Sequence, residues 1–458
     1  PVTFTFGVSS VLVTDGLGNS VSVANTAVEN FTGTALNDTF IFNNNAAIGG
    51  KVDGGAGVDT VNLSAYTSTR NVVLSALGTL NGFQGTLNGT GGFNNINNFI
   101  GSAALTDSLT GINAAASFVL DGTPQYISTN TLDFSAFERL VGGTDGDTFM
   151  LSAAFGGSLD GGAGADHLDF SSFSSARSII ITGSGAVDGL AGTESSLSGG
   201  FSNIDHIVGS AFATDSLTGA NSAASFTFSD TDNRYTINSK FAILAGLENL
   251  IGGNGVDTFT FNGAGSYTGI LNGSNGADRF DFSGYGSVVN LNLETSTITG
   301  LTGTFASIEN LTGSAFSDTI SGPNSGASFN LTGNNAGNVN GTFSYTAVEN
   351  LVGGTGIDTL TYSSFGGPIT VNLQNNTTSG LGGTFSGIEA LIGSSSALDT
   401  LIGKDAGSSF NITGTHSGNV DGSFAFSAVK LIRGGSGADT LNYSAFGSPV
   451  TVDLENMS

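Results

Sequence analysis

The chain has 458 residues, 72 of them Gly and 34 Phe, with 38% hydrophobic, only 10% charged and no Cys. Its 36 acidic against 10 basic side chains give a net charge of −26, which argues against nucleic acid and anionic membranes as partners, because both need clustered Lys and Arg. The lack of Cys excludes disulfides and thiolate metal sites, and no apolar run approaches the roughly 18 residues of a membrane-spanning helix.

Abundant Gly, Asn, Ser and Thr beside β-forming residues predict many short strands joined by tight turns. In chain order, AVENFTG at 27–33 returns as FERLVGG at 137–143, LENLIGG at 247–253 and VENLVGG at 348–354, with VKLIRGG at 429–435 near the end. The glutamates Glu29, Glu138, Glu248 and Glu349 mark these openings at near-constant intervals, the last of them the shortest. This sets repeat units of approximately 28–136, 137–246, 247–347, 348–428 and a partial 429–458 within one continuous structure spanning 1–458. The partial unit is expected to be completed by 1–27 of a neighbouring copy. Two Asp-bearing turns follow each opening in quick succession in the first three units, at Asp38/Asp59, Asp147/Asp166 and Asp257/Asp278. The fourth unit has one, Asp358, and is shorter by a similar amount. A removable quantum of about 20 residues is what one coil of a β-solenoid would be.

Midway turns end at Asp107, Asp215, Asp318 and Asp399. The next Gly-Gly-type Asp, at Asp147, Asp257, Asp358 and Asp439, lies the length of two coils farther on each time. About eight extra residues in the first two units are expected to form longer turns at 82–98 and 189–200. Apolar residues alternate through 359–362, 440–443, 166–170, 369–373 and 408–412, the mark of half-buried strands, and helical periodicity is absent. The expected fold is therefore all-β, a parallel β-solenoid of β-helix or β-roll type with essentially no α-helix. Phe155, Phe173, Phe365 and Phe446 hold equivalent places and are expected to stack as a core ladder.

The turns read GGAGVD at 54–59, GGAGAD at 161–166, GGNGVD at 252–257, GGTGID at 353–358 and GGSGAD at 434–439, with looser copies at 142–147 and 272–278. They resemble the haemolysin-type (RTX) calcium-binding nonapeptide. That resemblance implies Ca²⁺ at Asp38, Asp59, Asp147, Asp166, Asp257, Asp278, Asp358 and Asp439, best in the three pairs one coil apart. The turns occur at most once per coil here, whereas the RTX motif repeats every nine residues. The alternative role for each Asp is to cap its turn by accepting backbone N–H groups. At full length the chain is also similar in texture to bacterial surface repeat proteins of the filamentous-haemagglutinin-like and RTX-adhesin type. Those families imply secretion, an extracellular or cell-surface location, and roles in adhesion, biofilm or surface layers.

The functional expectation is an extracellular structural repeat protein forming a filament or surface-layer fibre by head-to-tail stacking. Its start, PVTFTF, and its close at 448–454 fall at nearly one phase of the repeat. An adhesive stalk that binds host surfaces, cell-surface polysaccharide or matrix proteins is the alternative. Catalysis is the weakest reading. His167, His206 and His416 are scattered, Asp205 and His206 beside Ser210 lack a nucleophile elbow, and Asp166/Asp169 and Asp278/Asp281 only imitate a polysaccharide-hydrolase pair. Asp169 and Asp281 align with Thr361 and Asn442, as on a tolerant solvent face. No cofactor beyond Ca²⁺ and no membrane insertion is expected.

Overall fold

A computed structural model describes residues 1–451, in which every regular element is a strand and the long sheets are mostly parallel. The chain is an all-β parallel solenoid. Its strands are short because Gly-rich turns interrupt them. Within them burial alternates residue by residue: in Thr39–Phe42, Phe40 and Phe42 are buried and their neighbours half-buried.

The chain divides into two compact units, one of Pro1–Ala224 with Asn233–Ile251, the other of Ser225–Asp232 with Gly252 onward. In the first unit, Thr39 lies opposite Thr60 and Thr148 opposite His167, both in parallel strands. In the second, Thr258 lies opposite Arg279 in the same way. Each of these residues directly follows an Asp of one of the three close pairs, so the pairings are the expected coils.

Other parallel neighbours are farther apart in sequence. Thr60 faces Asn98, and Ser117 faces Thr148. The cause is a set of three-stranded antiparallel meanders. Asn71–Leu77, Phe83–Leu87 and Phe93–Ile96 form one on the second face of the first unit. The chain overshoots by two strand positions, then returns so that Phe93 pairs in parallel with Val52 while Asn71 pairs with Ser108. Ser178–Ser184, Leu190–Glu194 and Leu197–Ile204 repeat the device. Ser117–Leu120, Gln125–Ile127 and Thr131–Ser135 place one on the first face. In the second unit, Ser328–Gly333, Ala336–Val339 and Phe343–Thr346 do likewise.

Two sequence expectations are corrected by this. The intervals from Asp107 to Asp147 and from Asp318 to Asp358 are one coil that contains an antiparallel excursion, Ser108 to Arg139 and Thr319 to Asn350, plus the step to the next face, not two coils. The extra residues at 82–98 and 189–200 are largely strand rather than longer turns. Alternation has period two in parallel and antiparallel strands alike, so a coil and a hairpin pair of similar length read the same.

Parallel register stacks like on like. In the first unit Phe4 stacks on Phe40 at 4.8 Å, Phe6 on Phe42 at 4.3 Å and Phe118 on Phe149 at 4.9 Å. In the second, Phe226 stacks on Phe259 at 4.9 Å and Phe261 on Phe282 at 4.6 Å. Each fully buried Phe contributes about 1.5–3 kcal/mol by leaving water. The ladder is therefore real but built from other residues than expected. Phe155, Phe173, Phe365 and Phe446 are only half-buried. The last three pack at corners against Phe170, Tyr362 and Tyr443, because they follow the strand end rather than lie within it.

Candidate functional site

The Gly-Asp turns bring successive coils into unusually close contact. A side chain on Gly161 would place its Cβ 2.0 Å from the Asn203 carbonyl and 2.4 Å from Asp166 Oδ2, while Gly162 and Gly164 hold φ of +94° and +122°. Only glycine fits these places, and the turn delivers the following Asp into the interior.

Each such Asp accepts a backbone N–H from another turn through Oδ1. The donors are Val2 to Asp38, Asp38 to Asp59, Ala116 to Asp147, Asp147 to Asp166, Asp257 to Asp278, Ala327 to Asp358 and Ser408 to Asp439. The N–H of the Asp is in turn accepted by a side chain farther along the chain. Glu138 takes it from Asp107 at 2.9 Å, Glu248 from Asp215 at 3.0 Å, Glu309 from Asp278 at 2.8 Å, Glu349 from Asp318 at 2.8 Å and Glu389 from Asp358 at 2.9 Å. The repeat-marking glutamates are thus the other half of an aspartate ladder, a role encoded in their nearly constant spacing from the Asp. Lys430 stands at the equivalent place in the last repeat, and its ammonium donates instead to the Ser396 carbonyl.

Burial, followed by neighbouring carboxylates, raises the affinity of several of these acids for protons. Asp59 and Asp278 are pushed up to about 6, and Asp166 to about 7. Asp147 also reaches about 6, with Asp145 as its charged neighbour. Asp205 and Asp358 are raised too, again chiefly by burial.

In each of the three Asp pairs one carboxylate is already engaged by backbone N–H groups. Asp147 spends Oδ1 on Ala116 N–H and Oδ2 on Gly143 N–H, and Asp38 spends its oxygens on Val2 and Thr34. Asp257 accepts Gly253 N–H through Oδ2. By contrast Asp59, Asp166 and Asp278 each keep a buried Oδ2 without a partner.

Asp166 differs from the others in its company. Carboxylate oxygens of Asp166, Asp188 and Asp205 all lie within 4.8 Å of one another, the one such cluster among the described residues. Asp188 sits in the turn between Ser178–Ser184 and Leu190–Glu194, where Oδ2 accepts Gly164 N–H at 3.2 Å and Oδ1 is buried without a partner. Asp205 takes Asp166 N–H through Oδ2 at 3.2 Å. Asp188 carries no Gly-Asp turn motif and escaped sequence reasoning. The signal was the equal spacing of positions 59 and 81 with 166 and 188, followed by 97 and 205 at spacings one residue apart.

The other candidates serve the framework. Ser210 donates to both oxygens of Asp215 at 2.9 Å. His167 and His206 stack face to face at 4.1 Å through strand register. Asp169 and Asp281 each cap a turn, accepting Ser171 and Ser283 N–H at 2.8 and 3.0 Å. At the far end of the same hairpin from Asp188, Arg177 and Glu194 form a buried ion pair. Burial disfavours the Glu194 charge, but hydrogen bonds from Ser196 and Arg177 outweigh it and hold the carboxyl below its usual range. A scan against protein-family models finds no match to the chain, and a search of curated proteins finds none either.

Proposed function

We propose that the protein is an extracellular structural repeat protein that forms a filament or surface-layer fibre by adding rung upon rung, copy to copy. One observation carries this reading. Coils stack in parallel register with like on like, Phe118 on Phe149 and Phe226 on Phe259, so that each coil offers a strand edge and an apolar face to the next. Val21, on Ser20–Ala24, and Leu441, on Thr440–Asn442, are exposed apolar side chains on such strands. The finer likeness to bacterial surface adhesins supports the same location outside the cell.

Electron microscopy and sedimentation of the purified chain test the reading. Filaments are expected, and Val21→Lys with Leu441→Lys should return discrete particles. Monodisperse single chains in the unmodified protein would overturn it.

A groove of about 460 Å³, in which Asn98, Gln125, Asp133 and Ser135 stand beside Ile100, Pro124 and Phe134, favours carbohydrate adhesion as a second reading. Binding to a polysaccharide panel that Gln125→Ala removes is the expected result there.

A further inference from the structure

We propose that Asp166, Asp188 and Asp205 together bind one Ca²⁺ ion within the first unit. Three carboxylates with oxygens inside 4.8 Å of one another repel. Asp166 is fully buried, and its Oδ2 finds no donor; Asp188 Oδ1, also buried, finds none. Two acceptors without donors in one acidic triangle call for a positive partner. The oxygen-only donor set suits a hard cation, and Ca²⁺ accepts the irregular geometry that three carboxylates and water provide. Lys240 offsets part of the charge nearby, its ammonium donating to the Gly185 carbonyl at 2.6 Å, three residues before Asp188. Three carboxylates less one ammonium still leave two negative charges, matching a divalent ion.

The same corner exists a second time, at Asp59, Asn81 and Asn97. There Asn97 Oδ1 accepts Asp59 N–H at 3.1 Å, and Asp59 Oδ2 and Asn81 Oδ1 are the buried oxygens without partners. Two amides replace two carboxylates, so this corner offers similar oxygens with one charge. It is an internal control for the role of charge.

The test is calorimetry with CaCl₂ on the full chain at pH 8 after chelator treatment, with thermal melting beside it. One site per chain is expected. Asp188→Asn, which copies the amide of the sister corner, should weaken it at least tenfold while leaving the chelated protein's circular dichroism unchanged and raising its melting temperature, because one like charge is removed. If Asp188→Asn fails to fold, Asp205→Asn replaces it, since Asn97 shows that an amide still accepts the ladder N–H. Asn81→Asp with Asn97→Asp should raise the stoichiometry to two. Absence of Ca²⁺ binding up to millimolar concentration, or equal binding by the wild type and the Asp188→Asn chain, would overturn the proposal. Equal binding would place the ion elsewhere, for instance in the Asp ladder.

Discussion

The corner at 78–98 and the corner at 185–206 follow one backbone path and solve its electrostatics differently. In both, a meander leaves through Asn71–Leu77 or Ser178–Ser184, turns at Asn81 or Asp188, and returns under the Gly-Asp turn of Asp59 or Asp166. The first corner is nearly neutral: Asn81 and Asn97 face Asp59, Leu87 pairs with Val72, and Arg70 lies 3.5 Å over the Tyr66 ring. The second is charged: Asp188 and Asp205 face Asp166, Glu194 takes the place of Leu87 opposite Ile179, and Arg177 is buried against it over Phe173 at 4.2 Å. Backbone geometry here depends on glycine placement and alternation, which the corners share. Charge is a separate layer added to the same frame, and it is where the two copies diverge in chemistry.

The largest way to break this comparison is Glu194→Leu, which installs the first corner's residue in the second. It strands a buried guanidinium and should cost about 3–5 kcal/mol, read as a lower denaturant midpoint. Adding Arg177→Met should recover most of that loss, since a buried pair exchanged for apolar side chains is often neutral. A single variant as stable as the parent would show that the pair contributes nothing.

The pH response sharpens the contrast between the two aspartates. Asp166 near 7 and Asp59 near 6 hold their protons more tightly folded than unfolded, where the value is 3.8. Their contribution to stability is therefore complete below about pH 4 and lost as pH rises through 6 for Asp59 and through 7 for Asp166. In chelator, the melting temperature should climb as pH falls from 8 to 5. Asp166→Asn should remove the upper part of that climb and Asp59→Asn the lower. Identical profiles for the two variants would erase the distinction. A proton on the free Oδ2 and a calcium ion are competing answers to one problem, so saturating Ca²⁺ should flatten the upper part alone.

The smallest effect concerns the ladder cap. Asn97 caps Asp59 and Asp205 caps Asp166, while Glu138 caps Asp107. Glu138→Ala leaves that N–H without its acceptor and should cost about 1 kcal/mol in urea unfolding, whereas Glu138→Gln should cost less. An equal loss in both variants would mean that charge, not acceptance, is what the cap supplies.

The sequence alone determined the strand-and-turn texture, the Gly-Asp corners and the coils between paired Asp turns, because these are local. Alternation selects strands, and a glycine is demanded wherever neighbouring backbones nearly touch, as at Gly161. The glutamate markers were visible as a repeat, but their task of capping an aspartate N–H depends on a partner far back in the chain, as Glu138 depends on Asp107 and Glu248 on Asp215. Only the tertiary structure decided where the chain advances by a coil and where it doubles back. A hairpin pair and a coil have similar length and the same alternation, and register is settled by packing between distant strands. For the same reason only the fold could bring Asp188, a turn residue with no motif of its own, to the carboxylates of Asp166 and Asp205.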